Sequence, residues 1–168
     1  MSAQNSEYTV PGLTNEAGHQ VGETLQLRLH AINDLHLTLK HAHWNVVGPN
    51  FIGIHEMLDP QVELARGFAD DLAERMAALG VSPNGLPGDL VKKRTWEDYP
   101  VDRATGIEHI RALNEVYIGI IEDHRAAIAK IGDVDPVTED LLIGQTAELE
   151  KFQWFLRAHL EDGEGNVK

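Results

Sequence analysis

Cysteine is absent from the 168 residues. That one absence removes disulfides, thiolate nucleophiles, cysteine zinc sites and iron–sulfur clusters together, and leaves His, Asp and Glu as the strong metal ligands. Aromatic residues are sparse at 6%, yet 42% apolar and 24% charged residues still describe one globular domain. A chain of this length buries roughly 70% of its unfolded surface, so it needs neither a disulfide nor a structural metal to fold. No apolar run approaches the ~20 residues of a membrane span. No basic-then-apolar leader opens the sequence, and together these absences predict a soluble, cytoplasmic protein with no membrane partner.

Basic residues are also in short supply. Fourteen Lys and Arg face 27 Asp and Glu, for a formal net charge of −13, with nine His counted as neutral. Such a surface repels phosphate backbones and anionic lipids, which are normally bound by basic patches that release counterions. Metal cations suit it better. The plain alternative is an acidic surface that does no more than keep the protein in solution.

What is present is helical periodicity. Met1 to Thr14 reads as an arm with a Pro11-Gly12 turn, residues 15–160 as the folded domain, and Glu161 to Lys168 as a Gly-rich acidic tail. From Asn15 to Val47 the residues Leu25, Leu29, Ile32, Leu35 and Leu39 keep a 3.6-residue period, stopped by Gly48-Pro49. Ile52 to Leu79 repeats the pattern, with Pro60 inside it, where a missing backbone donor should kink or locally widen the turn. Val81 to Pro100 carries three prolines and two glycines and reads as a long connection, with room for a helical turn near Asp89 to Lys93. A third helix follows from about Asp102 to Ile131 and a fourth from Pro136 to Leu160, the latter opened by Asp135 as N-cap. The expected fold is all-α: a four-helix bundle with one long crossover between helices 2 and 3.

The chemistry concentrates between His43 and Glu74. His43 lies on the stripe of Ile32, Leu35 and Leu39, where a polar ring is costly without a partner. On the second helix His55 and Asp59 are four residues apart, as are Asp70 and Glu74, so each pair shares a face and could grip one cation. Taken singly, each has a structural reading too: a hydrogen-bonded core histidine, or a solvated face of carboxylates. The interval is more informative. Asp59 to Asp70 is close to three whole turns, which puts both pairs on one stripe but roughly 16 Å apart. One metal cannot bridge that distance. A second copy, antiparallel about a two-fold axis, would bring Asp70 and Glu74 of one chain opposite His55 and Asp59 of the other. A single-chain di-iron bundle would need paired Glu-x-x-His motifs, whereas this motif occurs once, at Glu16 and His19.

The run His43-Trp44-Asn45-Val46-Val47-Gly48-Pro49-Asn50-Phe51, then His55-Glu56-Met57-Leu58-Asp59, then Asp70-Asp71-Leu72-Ala73-Glu74-Arg75 resembles the ferroxidase signature of the Dps family, the DNA-protection-during-starvation mini-ferritins. The likeness covers about Tyr8 to Glu161, including Lys151-Phe152-Gln153-Trp154-Phe155, and is nearest to actinobacterial members through Leu35 to Lys40 and Asp59 to Leu64. It implies a ferritin-like bundle assembling as a hollow homododecamer. Ferroxidase centres at its two-fold interfaces would take His43, His55 and Asp59 from one subunit and Asp70 and Glu74 from its mate. Fe²⁺ would be oxidised there with hydrogen peroxide or O₂ and stored as a ferric oxide core. Trp44 would lie beside the centre, as packing or as a quencher of radicals. Iron would enter through three-fold pores near the start of the last helix, which points to the metal-binding carboxylates Asp135 and Asp140, with Glu139 beside them; N-terminal capping is their structural reading.

The resemblance weakens at DNA. Members that coat DNA commonly use Lys- and Arg-rich terminal extensions, whereas Met1 to Val10 has none and the tail offers only Lys168. Lys92, Lys93 and Arg94 form the one basic cluster. DNA binding is therefore expected to be weak or absent at physiological salt. A nucleoid-structuring protein with subordinate iron chemistry, and a metal-dependent amide or ester hydrolase, remain as alternative readings.

Overall fold

In the computed structural model residues 6–167 are described; residues 1–5 of the expected arm and Lys168 of the tail lie outside them. The elements are α1 (Asn15–Asn45), β1 (Val46–Val47), α2 (Phe51–Ala78), α3 (Pro87–Lys93), β2 (Ala104–Thr105), α4 (Gly106–Ile131) and α5 (Pro136–Leu160). The long helices α1, α2, α4 and α5 form the bundle. α1 packs along α2 and α4 along α5, and the two hairpins meet through α1 with α4 and α2 with α5.

Helix periodicity dictates the interior. Leu25, Ile32, Leu35 and Leu39 of α1 are fully buried against Leu58, Leu72 and Met76 of α2, Leu113 and Tyr117 of α4, and Leu149 and Leu156 of α5. Gly48, at a left-handed φ of 101°, turns the chain between α1 and α2. At the other end of that hairpin Gly80, with φ 79°, lets the Tyr8 carbonyl approach to where a Cβ would stand, and Ser6 donates its N–H to the Gly80 carbonyl at 2.9 Å. The crossover then runs the length of the bundle and includes α3, slightly longer than the turn expected there. α2 continues unbroken through Pro60. Pro60 and Glu56 are both exposed, so the carbonyl that lost its donor faces water.

Two helix boundaries differ from expectation for one shared reason. The first helix stops at Asn45 rather than Val47, and the third starts at Gly106 rather than Asp102, because Val46 and Val47 pair in parallel with Ala104 and Thr105. Thr105 then forms a capping box with Glu108, which fixes the start of α4. Ile107 in this first turn is exposed, while Gly106, His109 and Ile110 around it are buried.

Candidate metal centre

The turn at Gly48 lays the C-terminal end of α1 beside the first turns of α2, and this brings His43 and His55 together. Their rings stack at 3.6 Å between centroids with 24° between planes. The contact is reciprocal: the Nδ1 of His43 is 2.9 Å from the His55 carbonyl, and the Nδ1 of His55 is 2.9 Å from the His43 carbonyl. A carbonyl can only accept, so each Nδ1 carries the proton and each Nε2 keeps its lone pair. That is how metal-binding imidazoles are generally held, with the second nitrogen fixed by a backbone acceptor.

Asp59 completes this end of the stripe. Its Oδ1 lies 3.3 Å from His43 Nδ1 and 3.1 Å from the Lys40 ammonium. The hydrogen bond from Lys40 holds the Asp59 carboxyl below the usual carboxylate range against an opposing cost of desolvation. Lys40 also stands over the Trp44 ring at 5.9 Å. Lys40 was not singled out from the sequence. Its helical spacing to His43 and Trp44 was legible, but its partner Asp59 lies 19 residues away on another helix.

Asp70 and Glu74 lie further along α2, exposed and without a partner among the described residues. The chain does not bring them to His43, His55 and Asp59. Among the described residues no three His, Asp or Glu side chains are grouped to hold a metal ion by themselves. The bundle interior offers no substitute: of its buried polar and charged residues only Asp135 is a carboxylate, while the core between the helices carries Arg28, His124, Gln61 and Gln145. Beside His43 and His55 the surface is apolar and open, with Trp44 71%, Ile52 58% and Phe51 40% exposed. Contiguous exposed apolar surface of this kind is what a partner molecule covers.

The carboxylates near the last helix separate from one another. Asp135 is buried at the start of α5, where it accepts from Arg75 Nη2 at 2.6 Å, from the Thr138 hydroxyl and from the Val137 N–H at 3.3 Å. Its carboxyl is held low by Thr138 and Arg75, against the cost of burial, which is the largest influence. Asp140 is exposed and shares an open depression with Glu74, Asp71 and Arg75. Glu139 packs its carboxylate over Gly132. Arg75 was not anticipated from the sequence as the group that seals this end.

Other sequence features find structural employment. His19 of the single Glu-x-x-His contacts the Ser6 carbonyl at 3.1 Å, tying the arm to α1. In the basic cluster Lys93 pairs with Asp89 at 3.2 Å and Arg94 with Asp98 at 2.6 Å.

The ferritin-like domain family model matches residues 22–165. The chain is 58% identical over 162 residues to the DNA protection during starvation protein of Mycolicibacterium smegmatis, covering 96% of this chain and 88% of that one. It is also 54% identical over 164 residues to the fine tangled pili major subunit of Haemophilus ducreyi, covering 98% and 87%. Among solved structures, DpsA14 from Streptomyces coelicolor superposes with a TM-score of 0.97 at 56% identity, over 99% of both chains. With a helical bundle of this topology, the family model over most of its length and relatives this similar, the chain belongs to the Dps family of ferritin-like proteins.

Proposed function

We propose that this chain is a ferroxidase and iron store that oxidises Fe²⁺ with hydrogen peroxide, or O₂, at centres completed by a second copy of itself. The carrying observation is the stacked pair of imidazoles, His43 buried and His55 half-buried, whose Nδ1 atoms are both committed to backbone carbonyls, which leaves both Nε2 lone pairs uncommitted. Two copies meeting antiparallel would add Asp70 and Glu74 of the second chain to His43, His55 and Asp59 of the first. Mixed imidazole and carboxylate donors hold Fe²⁺, and carboxylates stabilise the more highly charged Fe³⁺ product.

Iron here is substrate. Two ferrous ions give up one electron each, and peroxide takes both electrons with two protons and leaves as two waters, so no hydroxyl radical need form. The protein's part is to fix the two rings, hold Asp59 ionised and offer few ligands, which leaves positions open for the oxidant. The acidic surface concentrates the incoming cation. In a hollow dodecamer, Asp140 and Glu139 near the start of α5 would stand at the entry pores and ferric oxide would fill the cavity. Such a store belongs in the cytoplasm, and none of the described helices is long and apolar enough to cross a membrane. With two of the three clustered basic charges already paired, DNA binding stays weak or absent at physiological salt.

The decisive test is complementation. A particle of His55→Ala/Asp59→Asn subunits and one of Asp70→Asn/Glu74→Gln subunits should each lose rapid peroxide-driven Fe²⁺ oxidation while keeping their native mass. Dissociated and reassembled in equal mixture, they should recover about one quarter of wild-type activity, since half of the two-fold pairs are mixed and each mixed pair has one intact centre. No recovery on mixing, with assembly intact, would sink the shared-site reading.

A further inference from the structure

The second half of the crossover, residues 95–100, lies across α1 and α4 and encloses a cleft of about 440 Å³, within the range of small-molecule sites. Its lining surface is mostly apolar, with Ala31, Val116 and Ile120 of the helices in its floor and Trp96 and Tyr99 from the crossover as aromatic wall. The Trp96 indole is fixed by donating Nε1–H to Asp34 at 2.6 Å. Around this floor stand six carboxylates, Asp34, Glu97, Asp98, Glu115, Glu122 and Asp123, and no Lys or Arg lines the cleft. Arg94 and Arg28 reach Asp98 and Asp123 from outside it. Glu122 forms no ion pair or hydrogen bond among the described residues, and Glu97 shares the field of Arg94 without a hydrogen bond of its own.

This combination discriminates between ligand classes. A hydrated inorganic cation would satisfy the carboxylates but gain nothing from an apolar floor large enough for an organic molecule. A neutral apolar ligand would leave six acids crowded around low-dielectric surface. A single ammonium on a rigid body would neutralise one or two of them. Several ammonium groups linked by methylene spans meet both demands, because the charges reach the rim, the methylenes cover the floor and an ammonium can stand over the Trp96 face. We infer that the cleft between α1, α4 and the crossover binds linear polyamines. The inference does not depend on the ferroxidase reading, since none of the five residues proposed for that centre lines the cleft.

The probe is spermidine, titrated calorimetrically into the assembled protein at about 0.15 M salt, where diffuse surface attraction is largely screened. One site per chain is expected. Glu97→Gln/Glu122→Gln should weaken binding at least tenfold. Gly119→Leu should weaken it with every charge retained: a Cβ at this cleft-lining glycine meets nothing within 4 Å, so a leucine is accommodated without strain and takes up space at the cleft wall. A remote pair with the same charge change, Glu7→Gln/Glu16→Gln, should bind as wild type. Equal weakening by the remote pair, undiminished binding by Gly119→Leu, or displacement of spermidine by Mg²⁺ at matched ionic strength would each overturn the inference.

Discussion

Asp59 and Asp135 are both carboxylates that the sequence offers as metal ligands, and both are held ionised by neighbouring cations. Their surroundings make them opposites. Asp59 is 54% exposed, and its cation is Lys40, a flexible ammonium 25% exposed that can swing away. Asp135 is 4% exposed and is clamped by the planar Arg75 guanidinium, a hydroxyl and a backbone N–H. The first is a carboxylate whose partner can leave, as the proposed centre requires; the second is a closed structural joint between α2 and α5. Ionisation alone therefore does not mark a ligand. What matters is whether the partner can leave.

Removing one side of the closed joint should have the largest effect. Asp135→Ala leaves Arg75 half-buried without its partner and deletes the α5 cap, so unfolding should cost about 3–5 kcal/mol less, read as a lower denaturation midpoint. Fe²⁺ oxidation per folded particle should not change.

His124 extends the contrast to a sealed group with no ionic partner. Burial, aided by Arg28, pushes its pKa down to about 4 from an ordinary value of 6.5. In acid the unfolded chain binds a proton that the folded chain refuses, so stability falls as pH drops from 6.5 towards 4. The loss approaches about 3 kcal/mol per chain. A His124→Gln protein should show a flatter acid limb in denaturant melts between those pH values.

At the open site the balance reverses. Asp59→Asn should leave stability within about 0.5 kcal/mol of wild type, because the lost ion pair is exposed. It should slow peroxide-driven Fe²⁺ oxidation by at least about 10–100-fold, since losing a ligand should cost no less than losing a group that only orients one. A large fall in stability without a kinetic effect would reverse the assignment of open and closed. The smallest effect is expected from Lys40→Met, which removes the ammonium an incoming cation must displace. Fe²⁺ or Zn²⁺ affinity should rise up to about fivefold, most visibly at low salt.

The helices were largely legible because their signals are local. Leu25, Ile32, Leu35 and Leu39 mark the buried face of α1 by spacing alone, and Asp135-Pro136 marks the start of α5. The misplaced boundaries at Asn45 and Gly106 trace to a pairing of Val46–Val47 with Ala104–Thr105 across 58 residues, which no window of sequence contains. The candidate centre divides in the same way. Its histidines and carboxylates declare themselves by helical phase, whereas Lys40 and Arg75 act on carboxylates 19 and 60 residues distant and give no local sign.

By itself the sequence determined which donors are on offer, through the missing cysteines and the spacing of the candidate ligands His43, His55, Asp59, Asp70 and Glu74, and it determined which helix faces are apolar. Only the tertiary structure decided which nitrogen of each imidazole is free, that Asp135 is sealed and Asp59 open, and that the crossover roofs an acidic cleft. The physical reason is range: periodicity is written within one or two helical turns, while proton placement, burial and ion pairing depend on groups that meet only when distant segments pack.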